Sequence, residues 1–234
     1  MFNDKTILAI VPARGGSKRL PRKNVLDLAG KPLIAWTIEA GLKSKYIDKV
    51  VVTSDDNEIL EISHLYGADC IKRPLDLASD TATTFDALKH TIDHLENFDY
   101  IVLLQPTSPL RNEQNIDEAI DLLFKREAGA VISVCEMEHS PLWSNTLPED
   151  GEMSEFLRKE VLNKRSQDLP SYYRLNGAVY ICKTDKLLNE KTFFIKEKIF
   201  AYVMKKENSV DIDDLYDFHL ASAILNFFQT GNRC

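Results

Sequence analysis

A short apolar strand followed by a basic loop constrains this chain more than any other stretch of it. Residues 7–11 form a continuous hydrophobic run, which predicts a strand that is buried on both faces. Pro12 ends the regular pairing because it lacks the N–H that a β-ladder needs. Two glycines and a serine then alternate with five cations, which are Arg14, Lys18, Arg19, Arg22 and Lys23. Such charges repel one another unless an anion lies between them, so the loop is predicted to bind a triphosphate.

The residues of this loop allow two interpretations. Gly15 and Gly16 let the backbone approach a ligand closely, and their N–H groups can form an anion-binding nest. Neither a G-x-x-x-x-G-K-[ST] motif nor a G-x-G-x-x-G motif follows the strand, so the two common phosphate-binding motifs are excluded. Because runs of charge are usually solvated, composition alone leaves a solvent-exposed basic loop as an equal alternative.

The composition excludes several classes of protein. The length of 234 residues, 44% of them hydrophobic, suits one α/β domain, and without repeats or linkers we expect residues 1–234 to form a single domain. A net charge of −7 argues against nucleic acid as the main partner. Four widely spaced cysteines without a C-x-x-C pair favour reduced thiols in a cytoplasmic protein. No signal peptide and no run of about 20 apolar residues is present, so no membrane partner is expected.

Strand and helix patterns alternate along the chain. Further strands are predicted at 49–54, 69–72, 100–105, 130–135, 176–182 and 199–204. Helices are predicted at 33–44, from the end of the second strand to 66, and at 83–96, 113–127 and 215–228. This alternation predicts an α/β fold with a doubly wound, mostly parallel sheet. Ligands of such sheets bind at the carboxyl ends of the strands, where the basic loop, Asp55 and Gln105 fall.

The pattern loosens between residues 136 and 174. This stretch mixes charges and prolines and contains one predicted helix, near 154–164. Long irregular segments within a compact domain are usually functional or form an interface. The sequence therefore predicts an arm at about 136–174 rather than a second domain.

Two aspartates near the carboxyl end are candidate metal ligands. Asp211 and Asp213 are two residues apart, so both carboxylates lie on one face if residues 209–213 are extended. Mg²⁺ takes one or two carboxylates and completes its shell with water and phosphate oxygens. The alternative is that Asp213 or Asp214 caps the last helix, where a carboxylate is favoured.

The order of residues in the basic loop resembles a known signature. The pattern A-R-x-x-S-K-x-L-P-x-K-N is formed here by Ala13, Arg14, Ser17, Lys18, Leu20, Pro21, Lys23 and Asn24. It is similar to that of the acylneuraminate cytidylyltransferases, also called CMP-sialic acid synthetases. The resemblance implies a Rossmann-like nucleotidyltransferase that is a homodimer. It further implies Mg²⁺-dependent transfer of CMP from CTP to a nine-carbon keto-acid, a nonulosonic acid, with release of pyrophosphate.

Further motifs extend this resemblance to most of the chain. The S-x-D-I-D segment at 209–213 implies that Asp211 and Asp213 hold Mg²⁺, and Q-P-T-S-P-L-R at 105–111 implies that Gln105 contacts the sugar. The related 3-deoxy-manno-octulosonate cytidylyltransferases tend to carry V-Q-G-D-E-P there, which makes them a disfavoured alternative. A non-catalytic nucleotide sensor is a second one, disfavoured because the carboxylates and the loop cations Arg14, Lys18 and Lys23 are all present.

The resemblance also assigns the remaining candidate residues. The catalytic cations are Arg14, Lys18 and Lys23. The nucleotide-binding residues are Arg14, Gly15, Ser17, Lys18, Lys23, Asn24, Arg73, Ala82 and Thr84. The sugar-binding residues are Gln105, Trp143, Arg165, Arg174, Asn176, Tyr180, Phe193 and Phe194. Without the family, a surface salt bridge would explain Arg73, and packing in the core would explain the aromatic residues.

Two departures from the family pattern lie in the irregular segment, which in the family is an arm exchanged between subunits. Trp143 stands where some members carry a lysine that meets the sugar acid. The usual R-Q-x-L-P reads S-Q-D-L-P at 166–170, with Arg165 one place earlier. An indole offers apolar area and one N–H donor, which suits a less polar sugar such as a legionaminic acid. Packing at a dimer interface explains Trp143 equally well.

Overall fold

The computed structural model describes residues 4–79 and 81–230. The strands are β1 (Ile7–Pro12), β2 (Asp27–Leu28), β3 (Lys31–Pro32), β4 (Lys49–Ser54), β5 (Asp69–Lys72), β6 (Tyr100–Leu103), β7 (Ala130–Glu136), β8 (Tyr173–Lys183) and β9 (Ile199–Met204). The helices are α1 (Leu33–Lys43), α2 (Asn57–Leu65), α3 (Thr84–Asp93), α4 (Glu113–Lys125), α5 (Thr184–Glu190) and α6 (Leu215–Gln229). Every predicted strand is present, and α5 is the one α-helix of the described residues that the sequence did not predict.

The longer strands form one seven-stranded sheet in the order β5-β4-β1-β6-β8-β7-β9. Neighbouring strands are parallel except at β8, which runs antiparallel to both β6 and β7. The short strands β2 and β3 pair with each other just before α1. The predicted doubly wound, mostly parallel sheet is confirmed, with one antiparallel strand within it.

Alternate side chains of β1 contribute to cores on opposite faces of the sheet. Ile7, Ala9 and Val11 belong to one apolar cluster, whereas Leu8 and Ile10 belong to another. Because β1 is central, helices cover both faces, and each fully buried aliphatic side chain stabilises the fold by about 1.5–3 kcal/mol. This explains why its sequence is continuously apolar rather than alternating.

Polar side chains determine where the helices begin. Asp56 caps α2 by accepting from the N–H of Ile59, and Thr83 caps α3 with a capping box. Asp214 caps α6 in the same way, together with Asp217. The cap of the last helix is therefore Asp214, which leaves the preceding aspartates available for another role. Within the described residues, no helix combines the length and the hydropathy needed to cross a bilayer.

The parallel pairing of β1 with its neighbours positions the candidate site. Pro12 is in register with Thr53, and Ile10 with Leu103, so β1, β4 and β6 end at the same edge. Two further backbone hydrogen bonds extend the pairing of β1 past the strand ends. Ala13 N–H donates to the Thr53 carbonyl, and Leu104 N–H donates to the Ile10 carbonyl. The basic loop, Asp55 and Gln105 therefore leave the sheet side by side, as predicted.

The segment from 137 to 172 contains only three short 3₁₀ turns, at Pro141–Trp143, Lys159–Val161 and Ser166–Asp168. The helix predicted near 154–164 is wrong. Met153, Phe156, Leu157 and Val161 have helical spacing, but only Val161 is buried, so this apolar face lacks the tertiary packing that stabilises a short helix. Most of its side chains are exposed, and Val161, at 2% exposure, is its one buried residue. The segment thus has no core of its own in the described chain.

Candidate active site

Two adjoining cavities open at the carboxyl edge of the sheet. The first, which we call the polar cleft, has a volume of about 380 Å³, and its walls include Arg14, Arg73, Ala82, Thr84, Gln105 and Thr107. The second, which we call the aromatic pocket, has a volume of about 520 Å³, and its walls include Thr84, Phe85, Gln105, Tyr180, Phe193 and Phe194. Gln105 and Thr84 border both cavities. The polar cleft thus takes four of the nine predicted nucleotide ligands, and the aromatic pocket takes four of the eight predicted sugar ligands.

The aromatic pocket has one buried and one exposed phenylalanine. Phe193 is 8% exposed and packs against Tyr180, with ring centroids 5.6 Å apart. Phe194 is 56% exposed on the same wall. Burial raises the pKa of the Tyr180 phenol, so its O–H is a neutral donor at physiological pH. Core packing accounts for Phe193, whereas Phe194 offers apolar area to a ligand.

Gly177 and Asp211 lie beside Gln105, which borders both cavities. Gly177 has φ +72°, and a Cβ on it would lie 2.6 Å from Gln105 Oε1 and 3.4 Å from Asp211 Oδ2. The pairing of β7 with β8 shifts register here, between Ile132 and Val134. A bulge with a left-handed glycine therefore lets the backbone of β8 pass between the amide and the carboxylate.

Carboxylates at the start of α2 hold the basic loop. Asp55 Oδ1 accepts from Gly15 N–H at 3.1 Å, and Arg22 donates to Asp56 Oδ2 at 2.5 Å and also to Glu58. The Arg22 guanidinium keeps the pKa of the Asp56 carboxyl below its usual range. In this structure Asp55 therefore occupies the Gly15 N–H that the predicted nest would use. Gly15 instead allows close approach to α2, since a Cβ would lie 2.7 Å from Asp56 Oδ2.

Lys23 extends from this loop towards the acidic segment at 211–213. Its Nζ donates to the Ile212 carbonyl at 2.5 Å. Burial lowers the pKa of Lys23, and the opposing charges of Asp213 and Asp211 offset part of that effect. The loop is braced behind it by Asn24, whose amide donates to the Arg14 carbonyl at 3.0 Å. The charges of Lys23, Asp211 and Asp213 therefore interact directly.

Asp211 has the properties expected of a metal ligand. Its Oδ1 is buried without a hydrogen-bond partner in the described protein, and burial raises the pKa of its carboxyl. An ionised carboxylate in such a place is unfavourable unless a cation compensates it. Among the described residues no group of three or more His, Cys, Asp or Glu side chains could hold a metal. The buried Oδ1 of Asp211 suits an ion such as Mg²⁺, which needs only one or two carboxylates.

Asp213 differs from Asp211 in its surroundings. Its side chain is 63% exposed and its Oδ2 accepts from Arg19 at 2.9 Å. Such an exposed ion pair contributes little stability, so it can rearrange readily when a ligand arrives. The predicted ligand pair is thus asymmetric, with one buried and one solvated carboxylate.

Arg73 is not the surface salt bridge that its sequence alone would suggest. It is 5% exposed, its Nη2 donates to the Ala13 carbonyl at 3.3 Å, and its Nε has no partner in the described protein. The nearest carboxylate, Asp55, is 4.0 Å away. Burial is the main cause that lowers the pKa of its guanidinium. Arg73 therefore brings a poorly compensated positive charge to the wall of the polar cleft.

The structure does not place the Asn176 side chain in the aromatic pocket. This residue is 1% exposed. Its Oδ1 accepts from Ser133 Oγ at 2.6 Å, and its Nδ2 donates to Ser209 Oγ at 3.0 Å. Asn176 instead ties β8 to β7 and to the acidic segment. The N-G-A motif therefore supports the bulge at Gly177.

Three predicted sugar ligands lie away from the walls of both cavities. Arg165 is exposed and pairs with Asp168, and Trp143 lies half-buried in the first short turn of the irregular segment. Arg174 donates to Glu138 Oε1 at 3.2 Å and to the Ser209 carbonyl at 3.4 Å. The loop residues Ser17 and Lys18 also lie outside the walls of both cavities. They directly precede Arg19, which pairs with Asp213.

Two polar residues of the site were not singled out from the sequence. Thr107 donates a side-chain hydrogen bond to Asp211, and its carbonyl accepts from Ile212 N–H at 2.8 Å. Arg111 is completely buried and contacts the segments around Gln105 and Gly177. Both belong to the Q-P-T-S-P-L-R segment. All seven of its residues match the family motif, and this long match was the one sequence feature that could have indicated a role for them. Their contacts could not be read from sequence, because their partners are remote in the chain.

Comparison with known proteins identifies the family. The sequence model of the cytidylyltransferase family matches residues 8–223 of the chain. The chain belongs to the cytidylyltransferase family. The resemblance predicted from the basic loop is thereby confirmed.

Several relatives resemble the chain over most of its length. N-acylneuraminate cytidylyltransferase of Escherichia coli is 40% identical over 93% of this chain, which spans about half (52%) of that protein. CMP-N,N'-diacetyllegionaminic acid synthase of Legionella pneumophila is 35% identical, covering 95% of this chain and 97% of its own length. Pseudaminic acid cytidylyltransferase of Campylobacter jejuni is 34% identical, covering 93% and 95%. These cytidylyltransferases differ in the sugar acid that their names specify.

A solved structure shows the same fold. CMP:2-keto-3-deoxy-manno-octonic acid synthetase, complexed with CTP, superposes with a TM-score of 0.72 over 94% of this chain and 98% of its own. The two sequences are only 18% identical, so the comparison establishes the architecture and leaves the choice of sugar open.

Proposed function

We propose that this cytidylyltransferase joins CMP from CTP to the anomeric hydroxyl of a nonulosonic acid and releases pyrophosphate. The hydroxyl oxygen forms a bond to the α-phosphorus, the bond from that phosphorus to the bridging oxygen breaks, and the hydroxyl proton is released. The observation that supports this proposal is that Gln105 borders both cavities and lies, across Gly177, close to Asp211. The relatives with near-complete coverage, whose names specify legionaminic and pseudaminic acids, support this class of sugar.

The polar cleft suits a nucleotide triphosphate. Arg14 and the buried Arg73 are on its walls, and Lys23 projects from the adjacent loop. Positioning and charge stabilisation account for most catalysis of such displacements. Arg14, Lys18 and Lys23 would offset the charge that develops on the leaving pyrophosphate. Ala82 and Thr84, at the start of α3, would contact the base or ribose.

The aromatic pocket suits a large, partly apolar sugar. Gln105, Tyr180 and Phe194 offer an amide, a neutral phenol and an exposed ring on its walls. Asp211 and Asp213 would hold Mg²⁺, which when bound neutralises phosphate charge. We further propose a single domain with its arm at 136–174 and a cytoplasmic location. The free thiols of the described cysteines support that location; Cys234 lies outside the described residues.

The decisive experiment measures pyrophosphate release from CTP with a panel of keto-acids. The panel contains N-acetylneuraminate, N,N'-diacetyllegionaminate, a pseudaminate and 3-deoxy-manno-octulosonate. Release that requires CTP and a nine-carbon acid supports the proposal. Preference for the eight-carbon acid would assign the alternative substrate, and nucleotide binding without release on any acid would indicate a sensor.

Assembly gives a second prediction. The segment 136–174 exposes Tyr172 and Tyr173 and has no core of its own, so we propose a homodimer in which it reaches the partner's aromatic pocket. Arg165 and Trp143, remote from the pocket within one chain, would then complete the pocket of the other subunit. Sedimentation should show a dimer at micromolar concentration. An active sample that sediments only as a monomer would contradict this arrangement.

The identity of residue 143 gives a prediction about substrate choice. If Trp143 contacts the sugar, its indole should favour a 9-deoxy, diacetamido acid of the legionaminic type over N-acetylneuraminate. One such contact changes specificity by roughly 10- to 200-fold. We therefore expect Trp143→Lys to shift the ratio of kcat/KM values for the two acids towards N-acetylneuraminate. A wild-type preference for N-acetylneuraminate that this substitution leaves unchanged would mean that Trp143 only packs at the interface.

A further inference from the structure

We propose that Arg111 is a positioning residue for the acceptor sugar. It fixes the backbone of Gln105 relative to the bulge around Gly177 and so sets the place where the sugar meets the Gln105 amide. The inference rests on the proposed function for its substrate, but its structural part can be tested separately. Arg111 touches neither cavity that we assign to substrates, so it would act through the residues it holds.

The surroundings of Arg111 are unusual for an arginine. It is 1% exposed, and none of the described carboxylates pairs with it. Burial alone lowers the pKa of its guanidinium, to about 9. An uncompensated buried charge costs stability, and an apolar side chain of similar volume would avoid that cost. Simple packing therefore does not explain an arginine here, whereas its directed donors do.

Those donors connect three segments that are remote in the sequence. Nε donates to the Ala178 carbonyl at 3.1 Å, and Nη2 donates to the Gln105 carbonyl at 3.1 Å. Nη2 also donates to Thr37 Oγ1 in α1 at 3.0 Å. The rigid, planar fork of a guanidinium fixes the spacing between these acceptors, which a single ammonium cannot do. Arg111 thus locks the end of β6 to the bulge in β8.

This lock controls the tightest contact in the site. Gly177 precedes Ala178 and leaves almost no room beside Gln105 Oε1, since even a Cβ would lie 2.6 Å away. The ladder between β6 and β8 ends at Leu103 and Tyr180, before the bulge, and Ser108 adds a second side-chain tie, because its Oγ donates to the Asn176 carbonyl at 3.2 Å. Without Arg111, the bulge could move against the Gln105 side chain, which borders both cavities. A misplacement of about 1 Å near reacting groups can reduce rates roughly 100-fold.

The experiment compares wild type with Arg111→Lys and Arg111→Met, the second of which keeps an unbranched side chain but removes every hydrogen-bond donor. We expect KM for the keto-acid to rise roughly 10- to 100-fold in Arg111→Met and less in Arg111→Lys, with KM for CTP within about twofold of wild type. Gly177→Ala, which crowds the same place with Arg111 intact, should raise the same KM. Tyr202→Phe is the control for lost stability, because it removes hydrogen bonds to Glu118 and Asn115 away from the site.

Hydrogen exchange provides a readout that does not depend on the reaction. The amides of Ser108, Ala178 and Val179 should exchange roughly tenfold faster in Arg111→Lys, and no faster in Tyr202→Phe. Equal changes in both KM values, or kinetics like those of Tyr202→Phe, would overturn the positioning role. A wild type without transferase activity refutes the proposed function instead. In that case, unchanged exchange at the three amides would also show that Arg111 does not hold the end of β6 against the bulge in β8.

Discussion

Asp211→Asn should abolish most turnover and at the same time stabilise the metal-free protein. If Asp211 holds Mg²⁺ as proposed, its loss should reduce kcat by roughly 1,000-fold, or about 4 kcal/mol. The same change removes a buried charge whose Oδ1 has no partner in the described protein. The gain in the free energy of unfolding should be about 1 kcal/mol, typical of relieving strain at a functional site. Both quantities can be measured on the same preparations.

The stability gain should depend on pH in a defined direction. Burial raises the pKa of the Asp211 carboxyl, so the folded state binds a proton more tightly than the unfolded chain does. The carboxyl therefore favours folding below its unfolded pKa of about 4, and this contribution is lost as the pH rises through the folded value. Asparagine resembles the protonated acid, so its advantage should be greatest at neutral pH and vanish at low pH.

Asp213→Asn is the matched control for this prediction. Its carboxylate is exposed and paired with Arg19, so its removal should leave the free energy of unfolding nearly unchanged. Added Mg²⁺ should raise the melting temperature of wild type by preferential binding to the folded state, and should not raise that of Asp211→Asn. A Mg²⁺-induced shift that persists in Asp211→Asn would place the metal elsewhere.

Lys23→Ala should lower catalysis by roughly 2–4 kcal/mol of transition-state stabilisation. Its ammonium is half-buried between the loop and the acidic segment, where a charge acts more strongly than in water. Steady-state kinetics with CTP and the preferred keto-acid would show the loss in kcat. The folded state should change little, since the burial that lowers the pKa of Lys23 already disfavours its charged form.

Arg22→Ala is the control for Lys23→Ala within the same loop. Arg22 is adjacent in sequence, but Asp56 and Glu58 already neutralise its charge. We expect Arg22→Ala to affect turnover less than Lys23→Ala does. Near-normal turnover of Lys23→Ala would mean that the triphosphate binds elsewhere.

The sequence predicts well those features that depend on neighbouring residues. The continuous apolar run of β1 predicted a central strand, because burial on both faces requires an apolar residue at every position. The alternation of strands and helices predicted the sheet, and the carboxyl ends of its strands predicted where Gln105 and Asp55 would lie. A cap at Asp213 or Asp214 was one alternative that the sequence offered, and the structure shows that Asp214 caps the last helix.

Features that depend on remote partners were not predictable. Gly15 was expected to bind an anion, but Asp55, forty residues away, accepts its N–H. Asn176 was expected in the pocket, whereas its amide is satisfied by Ser133 and Ser209. The buried position of Arg73 depends on strand pairing that no local pattern reveals. Charged and amide side chains have several possible partners, and only the fold determines which one is close.

The way the basic loop is held has a consequence for ligand binding. Of its five cations, Arg22 and Arg19 already face carboxylates of the protein, and Lys23 donates to a backbone carbonyl. A triphosphate that binds at Lys23 or Arg19, as proposed, would therefore exchange partners with the protein instead of adding to unpaired charge. Affinity for simple anions should be low, because chloride cannot replace several oxygen acceptors at once. Such a loop discriminates by the number and spacing of ligand oxygens rather than by total negative charge.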